Sequence, residues 1–261
     1  MMTTFYKFHG TGNDFIMIDG RLFPELPDSS AIAKLCNRHT GIGADGLIVL
    51  KPIAGFDFEM IYFNADGSKA NMCGNGARCS VAFAAMVGLC GSNCSFMAGD
   101  GAHTGSITAS HGNHWMVEVS LVDVQVPKST DEVINTGNPH MVIVTDNIQE
   151  VDVENEGKHI RFSPAYRENG ININWLNIQS DHLWVRTYER GVEHETLSCG
   201  TGITASAIKA ALLTGKNAWN IKTKGGLLHV RMQRDAGMFS DIHLSGPATL
   251  VFKGEINPAE A

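Results

Sequence analysis

The segment Asn71-Met72-Cys73-Gly74-Asn75-Gly76-Ala77-Arg78 returns in altered form at Leu197-Ser198-Cys199-Gly200-Thr201-Gly202-Ile203-Thr204, and each copy opens an apolar, alanine-rich run. The first run, Val81-Ala82-Phe83-Ala84-Ala85-Met86-Val87, leaves almost no polar face and stops at Gly88; the second carries few polar positions, such as Lys209, and stops at Gly215. A helix that is apolar all round has to be buried on all sides. The repeat therefore predicts a duplicated fold in which each half wraps a sheet around one internal helix, over 76–87 and 202–213. Small residues that let a helix pack on a sheet could explain one copy. A cysteine before the first glycine in both copies is harder to ascribe to packing.

The rest of the chain reads as mostly strands. In the first half these are 5–8 and 13–19 around the turn Gly10-Thr11-Gly12, then 46–50 and 56–63, the last ending at Asn64-Ala65-Asp66-Gly67. Ser29 or Ser30 is the expected cap of a helix over 31–37. In the second half strands are expected at 115–126, 140–144, 171–178 and 183–188, a loop at 189–198, and strands near 227–232 and 241–244, with 249–256 returning to the first domain. The predicted class is α/β of the α+β kind: two pseudo-symmetric domains, each a curved, mostly antiparallel sheet or barrel around a buried central helix, with the active site in the cleft between them. The division expected is 1–122 plus 249–261, and 123–248, with Pro127 near the crossover.

Composition narrows the function. The chain has 261 residues, 43% apolar and 18% charged, and a formal charge of −7, which argues against nucleic acid as the main partner. No apolar run approaches the roughly 20 residues needed to span a bilayer. The N-terminus lacks the basic start and apolar core of a signal peptide, so a cytoplasmic, reducing setting and free thiols are expected for the six cysteines. Zinc is the other structural reading of Cys90-x3-Cys94 and Cys73-x5-Cys79, but neither spacing is the usual knuckle and no second pair follows. Gly10-Thr11-Gly12 and His39-Thr40-Gly41-Ile42-Gly43 lack both the dinucleotide spacing and the lysine of a phosphate loop.

Two matched thiols point to one kind of chemistry. At a helix start the backbone N–H groups and the helix dipole favour thiolate. A single activated cysteine suggests acyl transfer; two equivalent ones suggest that a thiolate removes a proton from carbon while the opposite thiol supplies one to the other face. The outcome is stereochemical inversion, and the α-carbon of an amino acid is the natural target. N–H groups from the helix starts could bind the α-carboxylate as negative charge develops on it. That chemistry needs no metal or other cofactor.

Four pieces of the sequence are more specific: Phe63-Asn64-Ala65-Asp66-Gly67-Ser68; Met72-Cys73-Gly74-Asn75-Gly76-Ala77-Arg78-Cys79; Gly137-Asn138-Pro139-His140; and Tyr188-Glu189-Arg190-Gly191 followed by Glu195-Thr196-Leu197-Ser198-Cys199-Gly200-Thr201-Gly202. In these, and from Phe5-Tyr6-Lys7-Phe8-His9-Gly10-Thr11-Gly12-Asn13-Asp14-Phe15 to the closing Gly246-Pro247-Ala248 and Phe252-Lys253-Gly254-Glu255, the chain resembles the diaminopimelate epimerases over nearly its whole length. These isomerases interconvert LL- and meso-diaminopimelate without pyridoxal phosphate, in lysine and peptidoglycan-precursor synthesis. The resemblance implies Cys73 and Cys199 as the two bases, one on each domain, with His140 and Glu189 tuning their pKa values. It implies a substrate shell of Asn13, Asn64, Asn138, Asn172, Glu189 and Arg190, and a carboxylate held by Gly74-Asn75 and Gly200-Thr201. A substrate with two amino acid heads needs such acceptors, donors and one guanidinium fork.

Each assignment has a plainer competitor. Asn13, Asn64 and Asn138 stand in Gly- or Pro-containing turns, where asparagine is common for backbone reasons alone, and His140 could be a satisfied core histidine. Cys36, Cys79, Cys90 and Cys94 read as apolar fillers or bystanders. Two positions depart from the family: Gly46 stands where some members carry a glutamine, and Gly191-Val192-Glu193-His194-Glu195 is longer than Gly-x-Gly-Glu and lacks its second glycine. Rival functions are a proline, hydroxyproline or histidine racemase on the same scaffold, and a binding protein that only holds an amino acid. The partner is a small molecule; a homodimer is among the oligomeric states the sequence leaves open.

Overall fold

The computed structural model describes residues 2–23, 26–129 and 133–257. It divides into two compact units, one running to Val119 and resuming at Gly246, the other spanning Ser120–Ser245.

The first unit contains β1 (Thr3–Gly10), β2 (Asn13–Asp19), α1 (Ser29–Cys36), β3 (Gly46–Ile53), β4 (Phe56–Asn64), β5 (Lys69–Ala70), α2 (Gly74–Met86), β6 (Asn93–Ala98), β7 (Gly101–His111) and β8 (His114–Ser120). β1 and β2 meet at a two-residue turn whose Thr11 and Gly12 both have positive φ, 52° and 87°. That geometry suits the twist of a hairpin but strains a β-branched threonine by about 1–3 kcal/mol. β2 lies parallel to β3 and β4 parallel to β6, because a helix crosses over in each case; β3–β4, β6–β7 and β7–β8 are antiparallel. The part of the last strand from Gly246 onward pairs with both β8 and β1 and closes an eight-stranded barrel.

Both faces of β2, β3 and β4 are covered, which explains their near-continuous apolar runs. On the outside, Ile16 and Ile18 of β2 join Ile32, Leu35 and Cys36 of α1 with Leu47, Val49, Ile61 and Phe63. On the inside, Tyr6 and Phe8 meet Phe83 of α2 at ring distances of 5.1 and 5.9 Å. α2 is buried from Gly74 to Ala84. It starts at Gly74, earlier than the predicted 76, with Cys73 as its N-cap. The cap of α1 also differs from expectation: Asp28, not a serine, accepts from Ala31 N at 2.8 Å. A carboxylate one residue upstream is a stronger acceptor at the positive helix end than a hydroxyl.

The second unit contains β9 (Val124–Gln125), β10 (Ile134–Asn135), β11 (Pro139–Val144), α3 (Val153–Arg161), β12 (Asn172–Ile178), β13 (His182–Glu189), β14 (His194–Thr196), α4 (Gly200–Thr214), β15 (Ala218–Thr223), β16 (Gly226–Asp235) and the first part of β17 (Met238–Ile256). Its strands run β10–β11–β12–β13–β15–β16–β17–β9, with β11–β12 and β13–β15 parallel and the others antiparallel. This is the same alternation of parallel and antiparallel pairs as in the first barrel. α4, buried from Gly202 to Ala211, ends at Gly215, whose φ of 77° is the left-handed cap glycine favours.

Several strand expectations need correction. The run 115–126 is two strands, since the chain leaves β8 after Ser120 and only Val124 and Gln125 pair again, with Phe239 and Met238. The strands expected at 241–244 and 249–256 are one continuous strand, β17. The loop expected over 189–198 is mostly a hairpin, its turn after Glu189 leading into β14, which pairs back on β13. The bidentate Arg186–Glu195 pair at 2.7 and 2.9 Å, joined by Lys224, locks that hairpin. The strands β5, β6, β7, β10 and β15 and the helix α3 were not foreseen.

α3 packs so closely on β13 that Gly157 has no room for a side chain: an added Cβ would lie 2.4–2.6 Å from atoms of Tyr188, which is 1% exposed. Gly157→Ala is therefore expected to destabilise the protein by about 1–3 kcal/mol through overpacking, although alanine is the better helix former by about 1 kcal/mol. Urea unfolding checks this; an unchanged or raised midpoint would show that α3 can move away freely. No helix among the described residues is long and apolar enough to cross a membrane.

Candidate active site

In each unit the central helix begins at its cysteine. Cys73 (φ −136°, ψ 119°) and Cys199 (φ −115°, ψ 110°) are extended N-cap residues, and neither makes a side-chain cap hydrogen bond. The first helical bonds are Ala77 N to Cys73 O at 2.7 Å and Ile203 N to Cys199 O at 2.9 Å. The N–H groups of Gly74, Asn75 and Gly76, and of Gly200, Thr201 and Gly202, thus have no acceptor within their helices, which is what an anion-binding helix start requires.

Around Cys73 the structure gathers Asn13 and Asn75. The thiol lies 3.5 Å from Asn13 Oδ1, which also accepts from Asn75 Nδ2 at 3.2 Å. Asn13 faces that way because its Nδ2 donates to Asp45 Oδ2 at 2.7 Å, and a carboxylate only accepts. Asp45 is tied to Arg38, Arg38 to Asp14, and Asp14 to Lys7, each at 2.7 Å. Burial pushes the Asp14 carboxyl up, but the hydrogen bonds from Arg38 and Lys7 outweigh it and hold its pKa at about 2. Asp45 was not singled out in the sequence; the only signal was its place beside Gly46. Asp45→Ala should lower turnover about tenfold or more, since a hydrogen bond to a charged group is worth about 1.5–3 kcal/mol. Steady-state kinetics check this, and unchanged turnover would show that Asn13 is oriented by something else.

Asn64 is held in its own turn, where its Nδ2 donates to Ser68 Oγ at 3.1 Å. Gly46, at the start of β3, is closed to a side chain: a Cβ there would meet Phe63 O at 2.5 Å and the Tyr62 ring at 2.7 Å. The departure from the family at this position is thus matched by packing that leaves no space for glutamine.

Around Cys199 the order of contacts is a relay. The sulfur is 3.5 Å from Thr201 Oγ1, and Thr201 Oγ1 is 3.0 Å from His140 Nε2. His140 is fully buried, and burial, then the charge of Arg190, push its pKa down to about 3. It is therefore neutral at physiological pH. Its Nδ1 accepts from Asn174 Nδ2 at 3.1 Å, which leaves Nε2 as the N–H that donates to Thr201. The threonine hydroxyl proton is then available to the sulfur. His140 thus reaches the Cys199 sulfur only through the Thr201 hydroxyl.

The buried neutral imidazole also sets an acid limb of stability. The unfolded state takes up a proton near pH 6.5 and the folded state only near 3, so stability falls as pH drops through that window. His140→Gln should flatten the fall in urea midpoint between pH 7 and 5. Equal falls in variant and parent would show that His140 is not held neutral.

Arg190 organises the remaining predicted residues of this unit. Its backbone N–H donates to Asn172 Oδ1 at 2.8 Å, its Nη2 to Asn138 Oδ1 at 2.9 Å and its Nη1 to Asn169 O at 2.7 Å. Glu189 Oε2 accepts from Thr196 Oγ1 at 3.0 Å across the hairpin. The longer loop is accommodated by positive φ at Gly191 (88°) and Glu193 (59°), with the Glu193 carboxylate accepting from Gly191 N and Arg161 Nε. Asn138, Asn172, Glu189 and Arg190 thus adjoin one another, as Cys73, Asn13 and Asn75 do in the first unit. The supporting residues Asp45, Arg78, Asn174, Thr187 and Thr196 were missed. Of the bystander thiols, Cys79 is fully buried and its pKa is pushed up to about 12. Among the described residues no three His, Cys, Asp or Glu side chains converge as a metal site requires.

The sequence profile of the diaminopimelate epimerases matches residues 5–121 and 132–251. The chain belongs to the diaminopimelate epimerase family. It is accordingly an isomerase of the epimerase kind, in a family that works without pyridoxal phosphate. A diaminopimelate epimerase of Flavobacterium psychrophilum is 45% identical over 96% of this chain and 99% of its own length. Those of Chlorobaculum tepidum and Archaeoglobus fulgidus are 38% and 35% identical, over 95% and 97% of the chain and 98% and 96% of their own lengths. Among solved structures, a probable proline racemase from Agrobacterium radiobacter covers 98% of this chain and 93% of its own with a TM-score of 0.75 at 12% identity. A hydroxyproline epimerase from Agrobacterium vitis covers 98% and 91% with a TM-score of 0.70, also at 12%. At such identity these two share the fold with the diaminopimelate epimerase family member described here, and no more than the fold.

Proposed function

We propose that the chain interconverts LL- and meso-2,6-diaminopimelate, with Cys73 and Cys199 as a thiolate and thiol pair acting on opposite faces of one α-carbon. The observation that carries this is the matched pair of N-cap cysteines, each opening a buried helix whose leading N–H groups have no acceptor within it. One thiolate takes the α-proton, and the electron pair spreads into the carboxylate. The N–H groups at Gly74-Asn75 and Gly200-Thr201 stabilise that charge where it develops. The opposite thiol delivers its proton to the other face, so each turnover inverts the centre and exchanges the protonation states of the two sulfurs. No cofactor enters the balance.

Asn64, Asn138, Asn172, Glu189 and Arg190 are the proposed shell for the substrate's polar heads, together with Asn13. The group supports a substrate with a second amino acid head, because it offers amide and carboxylate acceptors for ammonium and one guanidinium for carboxylate. We place the reaction in the cytoplasm, in lysine and peptidoglycan-precursor synthesis. Purified protein in deuterium oxide with LL-diaminopimelate, followed by chiral separation, is expected to yield the meso isomer with deuterium at the inverted α-carbon. Exchange on proline or hydroxyproline with none on diaminopimelate would transfer the site to the rival racemases, and binding without exchange would make it a carrier.

A further inference from the structure

Arg78 lies in the second turn of α2 and is fully buried, 0% exposed. Its guanidinium turns back toward the start of the helix: Nη1 donates to Gly74 O at 3.3 Å, and Nη2 to Asn75 Oδ1 at 3.0 Å and Thr11 Oγ1 at 3.3 Å. Nε reaches Pro247 O at 3.4 Å. Every one of these acceptors is neutral. Gly10 is part of the accommodation, since a Cβ there would sit 3.2 Å from Arg78 Nη2. A buried cation without a carboxylate is costly, and its place near the positive end of a helix adds to the cost.

The second unit shows that the hydrogen bonds alone do not require a cation. At the matching place in α4 stands Thr204, whose Oγ1 donates to Gly200 O at 2.9 Å. A neutral hydroxyl thus serves the same carbonyl that Arg78 serves in α2. What remains distinctive about Arg78 is its charge. The titratable groups whose field reaches it are Cys79 and Cys73, and burial keeps Cys79 a thiol.

The other charged groups on the strands packed against α2 are occupied elsewhere or in solvent. Lys7 pairs with Asp14, Asp19 with Arg21 and His103 with Asp100, while His9 accepts from Gly12 N. Lys51, Asp57, Glu59 and His111 are partly or wholly exposed.

We infer that Arg78 is a positioning residue whose buried charge holds Cys73 toward the thiolate, and that the Cys73 thiolate is the counter-ion this cation otherwise lacks among the described residues. Asn13 Oδ1, an acceptor beside the sulfur, favours the thiol. The two influences oppose each other and keep both protonation states accessible, as a reversible proton carrier requires. The inference rests on the proposed role of Cys73, but its test needs no substrate.

The test is the pH dependence of iodoacetamide alkylation at Cys73 and Cys199, read by peptide mapping in the substrate-free enzyme. Arg78→Gln and Arg78→Met should raise the Cys73 midpoint by about one pH unit or more and leave that of Cys199 in place, while Arg78→Lys stays near the parent. In turnover assays the neutral variants should lose kcat at pH 7 and regain it as pH rises, with KM little changed. A Cys73 midpoint that does not move, or that moves together with Cys199, overturns the inference. If the neutral variants do not fold, the unaltered protein decides: a Cys73 midpoint below the ordinary thiol value of about 8.5, retained in Arg78→Lys, supports it, and a midpoint at or above that value overturns it. Absence of epimerase activity with the expected alkylation shifts would discard the proposed substrate and leave Arg78's role standing.

Discussion

Cys73→Ala or Cys199→Ala is expected to lower epimerisation of diaminopimelate by about 10³-fold or more, since each removes a proton carrier whose work the other cannot do. The fold should persist, because neither sulfur caps its helix and the first helical bonds are accepted by backbone carbonyls. Two groups that act as one unit have non-additive effects, so the double variant should be no slower than the slower single variant. Serine at either position should leave a small residue of activity, because a hydroxyl donates a proton but is a poor base at neutral pH. Circular dichroism and chiral assay together check these outcomes. Near-parental turnover in either alanine variant would sink the two-base reading.

The sequence was legible where a feature depended on local pattern. The two central helices could be read from runs with no polar face, because such a helix has only one place to go. β2, β3, β12 and β13 were visible as apolar stretches bounded by turns. What escaped depended on partners distant in the chain. α3 has few apolar residues, Val153 and Ile160, which reach the core against β12 and β13, and its ends are charged, with Asp152 accepting from Asn155 N, Glu154 and Glu156 in the first turn, and Lys158, His159 and Arg161 in the last. The Asp152-x-x-Asn155 spacing was the signal that could have found it. β7 carries mostly small and polar residues and is a strand because β6 and β8 pair with it on either side. The same division holds at the site. Cys73 and Cys199 announce themselves by their duplicated setting, and the family resemblance supplied Asn13, Asn138 and His140. Asp45 and Asn174 act through residues far from them in sequence, so only the fold reveals them.

The two central helices also differ in how tightly their starts are enclosed, and one methyl group in each should expose the difference. A Cβ on Gly202 would lie 2.3 Å from Asn174 Oδ1 and 3.3 Å from His140 Cε1. Asn174 cannot yield cheaply: it is wholly buried, its Oδ1 accepts from Thr187 Oγ1 at 2.9 Å, and its Nδ2 serves both His140 Nδ1 and Met141 O. Displacing it strands several buried polar groups at about 1–3 kcal/mol each, and also turns the imidazole that orients Thr201 toward Cys199. At Gly76 the Cβ would instead meet Ile48 Cδ1 at 2.9 Å and Met60 Cε at 3.3 Å, the ends of flexible side chains. There a small rotation suffices, and the gain of about 1 kcal/mol in helix propensity partly offsets it. Gly202→Ala is therefore expected to cost about 3 kcal/mol or more and most of the turnover, and Gly76→Ala no more than about 1 kcal/mol. Urea midpoints and chiral assays on the pair decide the matter. Equal losses in both variants would mean that Asn174 can move, and that the His140–Thr201–Cys199 relay does not depend on its position.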